Sequence, residues 1–342
     1  MAFKDIIGHQ DEVLFLQNAL RNNRIAHAYL FYGPDGVGKE YCAMQFATAL
    51  LCEKPVDSEA CGKCSSCVRV QHQTHPNLIR VVQKESDTFL KIDTIREVRK
   101  EMGLKAFEGT RRIYLIPEAD RMMPQAANAL LKTLEEPSEN VILILIATDL
   151  TTILPTIISR CQLVRFYRLS RELIKSQLIN RFEVAEPDAE LYALLAEGSL
   201  GRARHLVEGE FLTARNQVLD IISGFCAAKP IRVFRTAEEL LGIELDFVEL
   251  TDLLTLWFRD ILVSQRTAEK SRGILMNPDK EPAVSKSAMR WSTDQIEQAI
   301  NQLAEIKQLS RKLGGTRYGF GSWYSGMNQQ LALESVLLPL SK

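Results

Sequence analysis

No apolar run in this sequence reaches membrane-spanning length; the longest, Val141 to Ala147, is strand-sized. Charge of either sign is not in excess. Forty-two basic against 43 acidic residues leave a net charge of −1, so no overall basic field exists to gather nucleic acid, although a locally basic face is compatible with that balance. The N-terminus, Met1-Ala2-Phe3-Lys4-Asp5, lacks the apolar stretch of a signal peptide, and a cytoplasmic location is expected. Internal repeats and low-complexity tracts are also missing. The most telling lack is a single hydroxyl. The segment Gly33-Pro34-Asp35-Gly36-Val37-Gly38-Lys39-Glu40 has the form of a phosphate-binding loop, with glycines that let backbone N–H groups face phosphates and Lys39 placed to reach them. The next position should be Ser or Thr, whose hydroxyl holds Mg²⁺. Glu40 stands there.

The loop follows an apolar strand candidate, Ala28 to Tyr32, and precedes a helical run from Tyr41 to Leu51, as such a loop requires. A second strand candidate, Arg112 to Ile116, follows a turn signal at Gly109-Thr110. In a nucleotide-hydrolysing fold this strand ends in a metal-orienting Asp followed by a catalytic Glu. Here it runs into Pro117-Glu118-Ala119-Asp120. Pro117 offers no side-chain oxygen to a metal, while Glu118 keeps the base position; shifting the register by one gives Glu118 to the metal and leaves Ala119 as the base. A carboxylate at position 40 would also repel phosphate oxygens, at a cost of roughly 4 kcal/mol for two charges about 4 Å apart at an effective dielectric near 20. A complete but unusual ATPase would have to tolerate both substitutions together.

A length of 342 residues exceeds one compact core, and 46% hydrophobic with 25% charged residues describes an ordinary globular chain. Cys52, Cys61, Cys64 and Cys67 follow a C-x8-C-x2-C-x2-C pattern, with Pro55 and Gly62 in the turns. Four thiolates at this spacing suit a closed tetrahedral structural Zn²⁺ site, with no position left open for catalysis; a redox pair is the competing reading. Cys42, Cys161 and Cys226 read as small buried hydrophobes.

Helical spacing covers residues 10–22. A strand at Leu78 to Val82 and a helix bearing Ile92, Ile95, Val98 and Met102 follow the cysteine segment. After the Arg112 strand come a helix from Pro124 to Leu134, the Val141–Ala147 strand and a short strand near Val164. Near-continuous apolar strands alternating with helices predict a parallel sheet covered on both faces. Residues 170–207 read as a small helical unit with a turn at Gly198-Ser199-Leu200-Gly201. From 208 onward the pattern is helical, except for a polar stretch, Lys270 to Ser287, that reads as a loop. Glu135-Glu136-Pro137 reads as a helix stopped before proline. The Leu253, Leu254, Leu256 stripe and Trp257-Phe258-Arg259-Asp260 read as core or subunit interface rather than a ligand box.

Asn128-Ala129-Leu130-Leu131-Lys132-Thr133-Leu134-Glu135-Glu136-Pro137, Leu154-Pro155-Thr156-Ile157-Ile158-Ser159-Arg160-Cys161 and the inserted cysteine segment resemble the clamp-loader branch of the AAA+ ATPases, bacterial members in particular. The resemblance spans the chain and implies three parts: an AAA+ module over 1–167 with its zinc segment at 52–67, a helical lid over 168–207 and a helical collar for assembly over 208–342. It implies that Arg160 is an arginine finger for ATP bound to a neighbouring subunit, with Ser159 and Cys161 fixing its loop. Thr148 takes a polar sensor position after the Val141 strand. Gly201 falls where active members carry a nucleotide-sensing arginine, so Arg202 is offset. Gly33, Gly36, Gly38, Lys39, Glu40, Glu118, Thr148 and Arg202 would then form a nucleotide site that is no longer complete, with ATP and Mg²⁺ bound next door. The implied function is a non-motor subunit of the DNA polymerase III clamp loader. Its partners would be the gamma/tau and delta subunits and, through the complex, the sliding clamp and primer-template DNA. Two alternatives compete: a gamma/tau-like ATP-hydrolysing motor, and a zinc-bearing nucleic-acid-binding protein acting alone. For Arg160 itself the competing reading is an ordinary surface arginine paired to a nearby carboxylate.

Overall fold

A computed structural model describes residues 3–82, 89–102, 111–209, 211–225, 231–267, 274–312 and 328–341. The chain forms two compact units, Met1–Arg204 and His205–Lys342.

In the first unit, five strands, β1 (Ala28–Tyr32), β2 (Leu78–Arg80), β3 (Arg112–Ile116), β4 (Val141–Ala147) and β5 (Gln162–Arg165), form one parallel sheet in the order β2-β3-β4-β1-β5. The apolar runs of β1, β3 and β4 are explained by their burial on both faces. Along each strand, alternate side chains enter opposite cores. Tyr29, Phe31, Ile113, Leu115, Ile142, Ile144 and Ile146 pack with Leu16 of α1 (Gln10–Arg21) and with Cys42, Phe46 and Ala47 of α2 (Lys39–Leu51). Ala28, Leu30, Tyr114, Ile116, Leu143 and Leu145 pack with Ile95 and Val98 of α4 (Ile92–Met102) and with Leu130 and Leu134 of α5 (Pro124–Glu135). Pro124 occupies the first turn of α5, where its missing N–H costs nothing, and Glu136 caps the other end before Pro137. Between α2 and β2 lies the cysteine segment with its own helix α3 (Ser65–Gln71). The unit continues through α6 (Pro155–Ile158), α7 (Arg171–Phe182), α8 (Glu186–Leu195) and the start of α9 (Leu200–Glu208). Ser170 caps α7 by accepting the Leu173 N–H.

The second unit is helical throughout its described residues: α10 (Phe211–Gly224), α11 (Ile231–Leu241), α12 (Phe247–Arg266), α13 (Glu281–Arg290), α14 (Thr293–Lys312) and α15 (Gln329–Leu337). Central α12 opens on a capping box, Asp246 with Glu249, and buries Leu250, Leu253, Leu254, Trp257, Phe258 and Ile261 against its neighbours. Trp257 and Phe258 are therefore core. Among the described residues no helix is long and apolar enough to cross a membrane.

The structure corrects two expectations. β2 ends at Arg80, short of Val82. The polar stretch Lys270 to Ser287 is not all loop: Pro278–Lys280 is a 3-10 turn and α13 begins at Glu281, with Pro282 in its first turn and Val284 and Ser287 buried. Its helical face is too sparsely apolar to register as a periodic pattern. Polar anchoring at its entrance does the work instead. Asp260, 0% exposed, accepts from the Met276 and Asn277 N–H groups and from Asn277 Nδ2, each at 2.8 Å. Arg215, also buried, donates to Asn277 Oδ1 at 2.7 and 3.2 Å and forks onto Asp279 at 2.7 and 2.9 Å. Burial pushes the Asp260 carboxyl up, opposed by those donors. Residues 268–273, the turn signal at Gly109-Thr110 and Cys226 lie outside the described residues.

Each buried donor left without its acceptor costs about 1–3 kcal/mol. Asp260→Ala strands three, so this variant should lose about 3 kcal/mol or more of second-unit stability. Denaturant unfolding followed by tryptophan fluorescence (Trp257 lies in this core) measures it; a loss under about 1 kcal/mol would show that water takes over the donors.

Candidate nucleotide site, arginine and four-cysteine cluster

Three strand ends build one site. β1 and β4 are paired so that Tyr32 lies opposite Ala147, and the Gly33 N–H donates to the Ala147 carbonyl at 3.3 Å. The glycine-rich loop therefore starts beside Thr148, at the carboxyl edge where parallel sheets place ligands. Beyond β3, a 3-10 turn (Ala119–Arg121) brings in Asp120, whose Oδ2 accepts from the Thr148 N–H at 3.0 Å and from the Thr148 hydroxyl. Glu118 instead adopts a left-handed backbone, φ 53°, with its carboxylate 3.4 Å from the Arg121 guanidinium.

Several of the loop's polar groups are engaged by the chain itself. Lys39 is 5% exposed, and its ammonium donates to the carbonyls of Gly33 at 2.8 Å and Pro34 at 2.6 Å. Burial lowers its pKa, while Asp35 and Asp120 act to raise it. Asp35 Oδ1 accepts the Gly36 N–H at 2.9 Å. His9 is buried, meets Phe166 edge-on at 4.8 Å and donates from Nε2 to the Val37 carbonyl at 3.0 Å; burial lowers its pKa. Gly36 has φ +68° and accepts the Gly201 N–H at 2.8 Å, which seats the turn Gly198 to Arg202 directly on the loop. A Cβ on Gly36 would fall 2.2 Å from Ser199 Oγ, and one on Gly201 would fall 3.1 Å from Gly36 Cα. Glycine at 36 is what allows this approach, while a Cβ at 201 would press on the loop backbone. Arg202 is buried, with Nη1 3.7 Å from Glu197. Gly38 caps α2 with φ 106°.

Glu40 is not the lone charge that the repulsion argument assumes. Arg80, at the end of β2, contacts Glu40 Oε1 through Nε at 2.8 Å and Nη2 at 2.7 Å. The carboxylate is paired and sits in the first turn of α2, where the helix dipole favours it. An anion entering this loop would have to displace Asp35 from Gly36 and draw Lys39 away from two carbonyls.

Arg160 follows α6 on the same unit. Ile157 is fully buried, and Ile158 and Cys161 pack against the core that holds Leu134. Cys161 is half-buried, and burial pushes its thiol up to about 12. The Arg160 side chain, 36% exposed, donates to the Thr156 carbonyl at 3.0 Å and lies 3.0 Å from Glu135 Oε1. Ser159 Oγ also donates to the Thr156 carbonyl, at 3.1 Å.

The four cysteines converge. Their sulfurs all lie within 4.8 Å of one another, with Cys52–Cys64 at 3.9 Å and Cys61–Cys67 at 4.0 Å. A tetrahedron with metal–sulfur bonds of about 2.3 Å has sulfurs about 3.8 Å apart, so the donor set fits a four-thiolate metal site. Backbone N–H groups of Cys61, Cys64 and Cys67 point at the sulfurs of Cys52, Cys61 and Cys64 at 3.3–3.4 Å. The N–H groups of Lys63 and Cys64 hold Cys61 down to about 6, whereas burial pushes Cys67 up. Around them, Glu53 caps α3 through the Ser65 hydroxyl and the Ser66 N–H. His75 Nδ1 accepts the Asn77 N–H, so its Nε2 donates to Ser66 Oγ at 2.7 Å.

Residues 8–170 match the family described as "DNA polymerase III, delta subunit". Over the whole chain, the sequence is 28% identical to the DNA polymerase III subunit delta′ of Bacillus subtilis and spans 99% of that protein. It is 30% identical over 91% of its length to the Bacillus subtilis subunit tau, of which it spans only 58%. Over 40% of its length it is 41% identical to the delta′ subunit of Pseudomonas aeruginosa, spanning 42% of that chain. The chain is thus similar along its length to DNA polymerase III subunits.

In the first unit the structure brings Gly33, Gly36, Gly38, Lys39 and Thr148 together with the turn that carries Arg202. Arg160, Ser159 and Cys161 form a separate cluster next to α5. Sequence reasoning missed Asp120, Arg80 and Glu135. Asp120 lies two residues past Glu118, and its role depends on the 3-10 turn that lifts it toward Thr148. Arg80 and Glu135 carry no local signal, since their partners come from distant segments.

Gly36→Ala should destabilise the first unit by about 1–2 kcal/mol through its left-handed backbone alone, with the Ser199 clash in addition. It should also raise hydrogen exchange over residues 198–202. Unchanged exchange there would mean the turn does not depend on its seat on the loop.

Proposed function

We propose that this chain is the delta-prime, non-motor subunit of a clamp loader, supplying Arg160 to the ATP site of an adjacent subunit. The observation that carries the reading is the state of its own loop: Glu40 occupies the hydroxyl position, paired to Arg80, and Lys39 is drawn onto the Gly33 and Pro34 carbonyls. Pro117 leaves the metal-orienting position without an oxygen. Near-complete coverage of a delta′ chain supports the same reading. The three-part division at 1–167, 168–207 and 208–342 goes with it: AAA+ module, lid and collar. ATP and Mg²⁺ would be bound by a gamma/tau neighbour, with delta, the sliding clamp and primer-template DNA as further partners. A tau-like motor is the second reading, favoured by the match to subunit tau.

Arg160 would act by charge. A guanidinium is always protonated and presents a planar donor fork suited to phosphate oxygens; such fingers contribute about 10³–10⁵ in rate at the site they serve. Ser159 and Cys161 hold its base. The cysteine cluster would hold a structural Zn²⁺, which supplies folding energy to residues 52–67 and no chemistry.

Arg160→Ala should leave the subunit folded and assembled yet slow clamp- and DNA-stimulated ATP hydrolysis by the reconstituted complex, in part only because other motor sites remain. Arg160→Lys should rescue poorly. The isolated wild-type chain, run alongside, should show no turnover above background; robust hydrolysis by it would hand the case to the motor reading, and equal rates for Arg160→Ala complexes would remove the finger. Metal analysis of protein purified under reducing conditions should give one zinc per chain, and a chelator should increase proteolysis between residues 52 and 67. A zinc-free preparation with intact thiols would refute the metal assignment.

A further inference from the structure

Arg160 and Glu135 are brought together by packing rather than by loop chance. Glu135 follows Leu134, buried in the core beneath α5, and Arg160 lies between Ile158 and Cys161, which pack against that same core; Ile157 is fully buried in it. The backbone positions of both residues are thus set by one rigid surface. One guanidinium nitrogen, Nη1, is held by the Thr156 carbonyl of its own helix and lies 3.4 Å from Ser159 Oγ. The other, Nη2, faces Glu135 Oε1 at 3.0 Å. Glu135 is the last residue of α5, where the helix's own carbonyl ends add negative potential toward a cation.

We propose that Glu135 is a positioning residue that parks Arg160, acting as an internal stand-in for the phosphate oxygens of the neighbour's nucleotide. This rests on the reading of Arg160 as a finger. The carboxylate and an incoming triphosphate are like charges competing for the same donor fork. Exposure decides the outcome of that competition. With Arg160 36% and Glu135 49% exposed, the pair is solvated and weak, so it keeps the arm ordered without a neighbour and yields when a more highly charged anion arrives. A buried pair would have held the finger against exchange. Parking therefore acts as a small, constant penalty on engagement of the neighbour's nucleotide, and it leaves the engaged site unaltered.

The test is Glu135→Gln in the reconstituted complex, with assembly checked by gel filtration and ATPase measured across ATP concentration. Removing the competing charge should lower KM for ATP about two- to fivefold, the scale of an exposed pair, with kcat close to wild type. In an Arg160→Ala background the same substitution should have no effect, because nothing is left to park. A merely structural role for Glu135 would move KM in the other direction or persist without Arg160. An unchanged or raised KM in Glu135→Gln, while Arg160→Ala lowers kcat, overturns the parking role and leaves the finger standing. An Arg160→Ala complex that matches wild type in kcat removes the finger reading, and the parking role with it.

Discussion

The pairing of β1 with β4 is the constraint from which the rest of the first unit follows. Once Tyr32 is fixed opposite Ala147, the glycine-rich loop and Thr148 must emerge side by side. β3, bonded to the other side of β4, then delivers Asp120 to the same edge. No loop needs to search for its place; each departs from a strand whose two faces are already buried. The same sheet fixes Arg160, because the short α6 leaves β4's edge and presses Ile157 into the core shared with α5.

What fills the edge of the sheet is a set of mutual satisfactions between groups that would otherwise await a ligand. An ammonium on two carbonyls, a carboxylate on an N–H, a guanidinium on Glu40 and a backbone bond from Gly201 to the Gly36 carbonyl answer part of the loop's polarity from within. The reading of Glu40 as repulsive captured the missing hydroxyl but took the charge to be unpaired.

The sequence was legible wherever the signal is local. Strands buried on both faces appear as unbroken apolar runs, and the glycine-rich loop and cysteine spacing are short motifs whose residues lie close along the chain. It was opaque wherever meaning depends on a partner far away. Nothing near Glu40 names Arg80, nothing near Arg160 names Glu135, and the two glycines that touch, Gly36 and Gly201, each look like ordinary turn residues. Helix α13 escaped for a related reason: its start is set by Asp260, from a different helix, bonding to the backbone of Met276 and Asn277. Three-residue and four-residue turns that aim Asp120 and Arg160 are likewise too short for periodicity to reveal.

The strand at the centre of the sheet, Val141-Ile142-Leu143-Ile144-Leu145-Ile146-Ala147, is apolar at every position because both of its faces are buried. Before it is buried, the same strand is a hazard: uncharged, rich in β-branched residues and free of proline, it has the composition of an aggregating segment. Its partners on either side are β1 and β3, and β1 lies near the other end of the unit, with Ala28 waiting for Leu143. During synthesis β1 therefore leaves the ribosome long before the strand it pairs with, and the sheet cannot close until β4 arrives. Such non-local pairing is slow, because loop closure comes before any contact rewards it. The architecture that places the glycine-rich loop so firmly thus makes the nascent chain depend on rapid capture of β4, or on chaperone shelter until β1 and β3 enclose it.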